Sequence, residues 1–269
     1  MRKVSKIGIV ILMLAILVAI DLFLVKMFQP QEISEINEYN ESLNIENQSE
    51  QNISSENIVA EENQNDEKDI KKKPEFVMPA SCDLDAPFTC QAPYQNWAEP
   101  WQEACEEASL MMIDHYLKGE YLNLEIPKDV ANQEILDMVD WQVQNWGGHF
   151  DLKAEDIVRL AKEYYGYKNV EAKYDITVED IKKELAQGNV VLAPTAGQML
   201  ANPHFTAPGP VYHNLVIVGF DENGFITNDP GIWQGFKFRY TFDNLYNAIH
   251  DYDPSSMLNG KKVMIVIKK

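Results

Sequence analysis

Positive charge is scarce in this chain of 269 residues: 23 Lys and Arg stand against 42 Asp and Glu, a formal net charge of −19. Nucleic acid and anionic membrane surfaces both require basic patches, so neither is expected as a partner. Cysteine is also scarce, with three residues, Cys82, Cys90 and Cys105. No Cys and His spacing matches a zinc site and no Gly-rich phosphate loop occurs, so no metal or other cofactor is expected. No internal repeat is apparent.

The acidic excess is uneven. Between Gln31 and Ile70 there are twelve Asp or Glu and one Lys, a net of −11 in forty residues. That stretch is rich in Glu, Asn, Gln and Ser, and it cannot bury enough apolar surface to offset chain entropy. It reads as a self-repelling tether spanning about residues 26–75. Ahead of it, Arg2, Lys3 and Lys6 (residues 1–6) precede an apolar run over 7–25, close to the roughly 20 residues needed to cross a bilayer. The charge bias keeps the N-terminus cytoplasmic and sends the rest outward. No small-x-small cleavage site follows, so the reading is an uncleaved anchor rather than a removed signal peptide. Membrane attachment is thus expected through this helix, with residues 76–269 as a folded domain on the extracytoplasmic side, monomeric in its catalytic part.

Three cysteines in an exported chain suggest one pair and one free thiol. Cys82 and Cys90 flank a short loop and can close a disulfide; the alternative is two small buried thiols. Cys105 is then the odd one. The run Cys105–Lys118 carries apolar residues at helical spacing (Ala108, Met111, Met112) and stops at Gly119. Cys105 therefore sits at or near a helix N-terminus. Helical patterns follow over 130–144, 154–165 and 178–186. Short apolar runs bounded by Gly and Pro then take over, at 189–193, 213–220, 225–227, 237–240 and 263–267. Helices first and an antiparallel sheet second give an α+β domain with two lobes and a cleft.

A thiol is a nucleophile only as thiolate, which a helix N-terminus favours. Glu106 and Glu107 oppose it, so an imidazole would have to provide the balance. His115 lies ten residues along the same helix, roughly 15 Å away, and cannot reach. His149, His204 and His250 lie in loop-like or terminal contexts. His213 opens a strand and is the candidate base. Asp229 follows the next strand, so a hairpin around 221–224 brings both to one end. Symmetric pairing would place Asp229 opposite Val216, roughly 10 Å from His213, a gap that a bulge or the Pro230 kink must close. Asp229 reads equally well as a turn former in Asn-Asp-Pro-Gly. Tyr212, Trp233 and Trp97 either line the cleft or pack in the core.

The segments Gln91-Ala-Pro-Tyr-Gln-Asn-Trp97, Ala104-Cys-Glu-Glu-Ala-Ser-Leu-Met-Met112, Tyr212-His-Asn-Leu-Val-Ile-Val-Gly-Phe-Asp221 and Phe225-Ile-Thr-Asn-Asp-Pro-Gly231 together resemble the bacteriocin-leader-peptidase-like family of papain-like cysteine peptidases, in its non-transporter branch. The resemblance implies a papain-like two-lobed fold, with the helix of the catalytic Cys packed on an antiparallel sheet. It implies a triad carried here by Cys105, His213 and Asp229, and an upstream Gln as oxyanion donor, either Gln91 or Gln95. The implied chemistry is hydrolysis of a peptide or amide through an acyl-enzyme. The alternative is a peptide- or wall-binding module on the same fold, without turnover.

Overall fold

The computed structural model describes residues 76–268. The anchor and tether expected over 1–75 lie outside the described residues. Among the described residues, no helix is long and apolar enough to cross a membrane.

Among these residues, five α-helices and seven strands form an α+β fold. Helix α1 is Cys105–Lys118, α2 Lys128–Trp146, α3 Ala154–Glu163, α4 Val178–Ala186 and α5 Phe242–Ala248. The strands are β1 Cys82–Asp83, β2 Asn169–Tyr174, β3 Val191–Ala196, β4 Tyr212–Asp221, β5 Gly224–Asn228, β6 Phe238–Tyr240 and β7 Val263–Lys268. They make one antiparallel sheet in the order β2-β7-β3-β4-β5-β6. β1 pairs with β4 at Phe220 and Gly219, beyond the last residue of β4 that β3 reaches.

Local chemistry accounts for the boundaries. Gly119 ends α1 in the left-handed conformation at φ 72°, a geometry that costs glycine nothing. Thr177 starts α4 with a capping box: its hydroxyl accepts the Asp180 N–H while Asp180 accepts the Thr177 N–H. Period-two alternation then sorts the sheet residues between two faces. Val216 and Val218 of β4, with Val263, Ile265 and Ile267 of β7, pack in the same core as Met111, Met112, Ile135 and Ile157 from α1, α2 and α3. Leu215 and Ile217, with Met264 and Val266, pack with Ile181 and Leu185 of α4 and Leu245 of α5.

The Cys105 helix thus lies on an antiparallel sheet, as expected, while α4 and α5 cover the opposite face. Three elements escape the sequence patterns. β1 has two residues. β2 is an edge strand whose Val170, Ala172 and Tyr174 alternate with Glu171 and Lys173. α5 has seven residues, one fewer than two turns' worth of helical period needs to show.

Candidate active site

His213 and Asp229 meet. Strand β4 carries a bulge between Ile217 and Gly219, which shifts the pairing so that Val216 faces Asn228. Asp229 therefore moves one residue nearer to His213 than symmetric pairing allows. The chain turns at Pro230 and closes the remainder: His213 Nε2 and Asp229 Oδ1 are 2.7 Å apart. Asp229 is fully buried and His213 is 2% exposed.

The carboxylate is held on both oxygens. Oδ1 also accepts the Gly231 N–H at 3.0 Å. Oδ2 accepts the Tyr240 hydroxyl at 2.7 Å and the Asn202 amide at 3.4 Å. Asn202 donates in turn to the Tyr240 oxygen at 2.6 Å. Burial works to raise the Asp229 pKa, but the His213 charge and the bonds from His213, Tyr240 and Gly231 outweigh it and hold the carboxyl below its ordinary value. A carboxylate only accepts, so a neutral His213 carries its proton on Nε2 and presents Nδ1 as the free lone pair. The Phe205 ring stands edge-on to the imidazole at 5.4 Å.

Cys105 is the first residue of α1, as the spacing predicts, but its partners differ from expectation. Its Sγ donates to Glu106 Oε2 at 3.0 Å. The Asn214 carboxamide approaches the sulfur at 3.8 Å. No hydrogen bond joins Cys105 to His213 among the described residues. Alternation along β4 turns Asn214 to the α1 face and His213 to the other, so the strand reaches the thiol through the neighbour of the histidine. Burial, then the charge and hydrogen bond of Glu106, push the thiol well above its ordinary value; the Asn214 N–H groups act against them. A helix N-terminus alone would lower it. Here desolvation and a buried carboxyl prevail.

Gln91 as the oxyanion donor and the Cys82–Cys90 disulfide are both corrected. Gln91 is buried, but its Nε2 donates to the Trp101 and Gln102 carbonyls at 2.9 and 3.0 Å. Both amide hydrogens are committed to the turn that precedes Cys105, and none is left for an oxyanion. Gln95 is exposed in a loop at φ 60°. Gln91 therefore shapes the approach to the cysteine helix, while its Oε1 is buried without a partner. Cys82 and Cys90 are free thiols, not a disulfide. Cys82 is fixed in β1 opposite Phe220 and donates to the Leu185 carbonyl at 3.3 Å. Cys90 is buried, mainly by desolvation pushed up to about 11.

Of the three aromatics, Tyr212 is buried and donates to the Leu152 carbonyl at 2.6 Å, whereas Trp97 is exposed. Trp233 lines a cavity of about 320 Å³ with Phe88, Cys90, Lys128 and Phe236. Neither Cys105 nor His213 lines it. Sequence spacing does not single out Asn214, Asn202 or Tyr240. The one available signal was Asn214 itself, a polar residue inside the apolar run of β4, where burial demands a partner.

Residues 89–254 match the model of the Peptidase_C39 like family. The chain belongs to that family. Membership gives this C39-like chain a cysteine-peptidase fold, in agreement with the resemblance read from its motifs. A crystal structure of a candidate C39-like peptidase from Bacillus anthracis is 16% identical, with a TM-score of 0.45 over 70% of this chain and 98% of that one. No curated protein matches.

Proposed function

We propose that the chain is a thiol hydrolase of peptide or amide bonds, with Cys105 as nucleophile, His213 as base and Asp229 as the group that orients the imidazole. The observation that carries this is the buried His213–Asp229 pair at 2.7 Å, with the residue next to His213 in contact with the Cys105 sulfur. An imidazole held this way can take a proton at Nδ1 and return it to a leaving amine. Turnover requires the thiol to leave Glu106 and the His213 ring, which alternation turns to the other face of β4, to bring Nδ1 within reach of the sulfur. Attack on the carbonyl then gives an acyl-enzyme, which water hydrolyses. The Cys105 backbone N–H, at the start of α1 where helix N–H groups lack intrahelical partners, serves in this reading as one oxyanion donor, worth roughly 10²–10³ in rate.

The substrate class follows from the family name and remains a peptide or amide. The full chain incubated with a proteome-derived peptide library tests it, with new termini read by mass spectrometry. Cleavages made by the wild type are expected to vanish with Cys105→Ala; their persistence sinks the reading. One observation favours a second reading, a binding module without turnover: the thiol's partner is Glu106. In that case neither protein cleaves and both retain the same peptides.

The location is part of the proposal. It rests on the apolar run over 7–25 and the basic residues before it, with residues 76–269 facing outward. In intact cells the chain is expected to stay with membranes through an alkaline carbonate wash and to be cut by added protease. Release by the wash, or protection from protease until the cells are opened, argues against the anchor or its orientation respectively.

A further inference from the structure

Glu106 is buried with 0% exposure one residue from the proposed nucleophile. Its two oxygens are both engaged. Oε2 accepts the Cys105 thiol at 3.0 Å, and Oε1 accepts the Leu152 N–H at 2.9 Å. Leu152 is itself pinned, since its carbonyl accepts the Tyr212 hydroxyl at 2.6 Å. Tyr212 is the first residue of β4 and precedes His213. The carboxyl therefore ties the start of α1 to the 147–153 loop and, through it, to the strand that carries the base. The groups that face it are Glu107 on its own helix, Asp151 on the loop, Tyr212 on β4 and Tyr252 on the segment before β7. Among the described residues no Lys or Arg pairs with it. Burial first, then Glu107 and Asp151, raise the Glu106 pKa, while the Leu152 N–H and the thiol lower it.

We infer that Glu106 is a positioning residue that locks the resting Cys105 as a protonated thiol, hydrogen-bonded to the carboxylate instead of to His213. This rests on the proposed role of Cys105 and deepens it. While Glu106 accepts the S–H, loss of that proton would leave two negative charges in contact in a desolvated site. Release comes when the carboxyl takes a proton. Its O–H can then donate to a sulfur lone pair, so that the two groups hold two protons, and the thiol's own S–H is released to turn towards Nδ1 of His213. Glu106 thus decides when the thiol is nucleophilic, without touching substrate.

The test is the pH–rate profile of Cys105 alkylation by iodoacetamide in the full chain, read by mass spectrometry of the Cys105 peptide. Cys90, also buried, serves as the internal control. Glu106→Gln is expected to raise the Cys105 rate at pH 7 by about tenfold, the effect of one pKa unit, with Cys90 unchanged. A profile that superimposes on the wild type overturns the lock. If Cys90 also accelerates, the variant has opened, and the wild type decides through its infrared S–H stretch, assigned by its loss in Cys105→Ser. A band moved to low frequency by a strong acceptor supports the lock; an unshifted band overturns it. Adding His213→Ala to Glu106→Gln separates the two ideas. If the released thiol slows again, His213 is its partner. If the rate stays high, the lock stands and the triad reading fails.

Discussion

Asp229→Ala is expected to cost about 3–5 kcal/mol of stability and roughly 10⁴-fold in hydrolysis. The stability loss follows from what the carboxylate holds. It accepts from His213, Gly231, Tyr240 and Asn202 in a site from which water is excluded. Removing the acceptor leaves a hydroxyl, an imidazole N–H and an amide unsatisfied, each costing about 1–3 kcal/mol, of which local rearrangement and entering water recover a part. The activity loss follows from the imidazole, which would keep neither its tautomer nor its orientation. Asp229→Asn separates the two effects. The amide fills the same space and still accepts from Tyr240, so most of the stability should return. Its NH₂, however, can face Nε2 and move the proton to Nδ1, the atom that must receive it from sulfur. Hydrolysis by Asp229→Asn should stay near that of Asp229→Ala while its thermal midpoint approaches the wild type. Equal activity of Asp229→Asn and wild type would remove Asp229 from the mechanism. The sign with pH is fixed by the direction of its pKa. The native value lies below the unfolded one, so its contribution is present above the ordinary Asp range near pH 4 and is lost as pH falls through the native value.

The sequence made the fold legible wherever one periodicity ran long enough. Helices α1 to α4 and strands β3 to β7 follow from spacing of 3.6 or 2 and from the glycines and prolines that bound them. β2 and α5 did not show, because an edge strand with charged alternate residues and a seven-residue helix carry too little pattern. His213 and Asp229 were legible as a pair because a hairpin is local, and the bulge at Val218 supplied the shift that pairing alone left short. What surrounds them was not. Asn202 and Tyr240 converge on Asp229 from 27 and 11 residues away, and only the tertiary fold sets those contacts.

Cys105 shows the same division. Its place at a helix start is a local property that spacing alone carries. Its electrostatics are not local. Two glutamates in a first helical turn ordinarily face water and favour the macrodipole. Here Glu106 and Glu107 are both fully buried, and Glu107 is bonded to Gln142 of α2 at 2.6 Å. Packing of α1 between α2, the 147–153 loop and β4 removes the solvent that would have screened them. The thiol therefore meets a desolvated carboxyl instead of an open dipole.

Gly231→Ala is the sharper probe of the imidazole, because it adds one methyl group and removes no hydrogen bond. A Cβ at that position would lie 2.6 Å from His213 Cε1 and 3.0 Å from Nε2, closer than carbon atoms can pack. It would also lie 3.1 Å from the Phe205 ring, so the space beside the histidine is closed. The imidazole cannot yield far without lengthening its 2.7 Å bond to Asp229. A displacement near 1 Å at the reacting geometry costs about 10²-fold in rate. The expected result is that loss in kcat/KM, with the thermal midpoint within a few degrees of the wild type, since a side chain and not backbone must move. Gly235→Ala should behave oppositely. Its Cβ would clash with the Asp229 carbonyl, so the backbone of the whole 229–235 turn must shift, and stability falls with activity. If Gly231→Ala hydrolyses within threefold of the wild type, the position of the imidazole is not what limits the reaction. His213 would then be a packing residue, and the base would have to be sought elsewhere around Cys105.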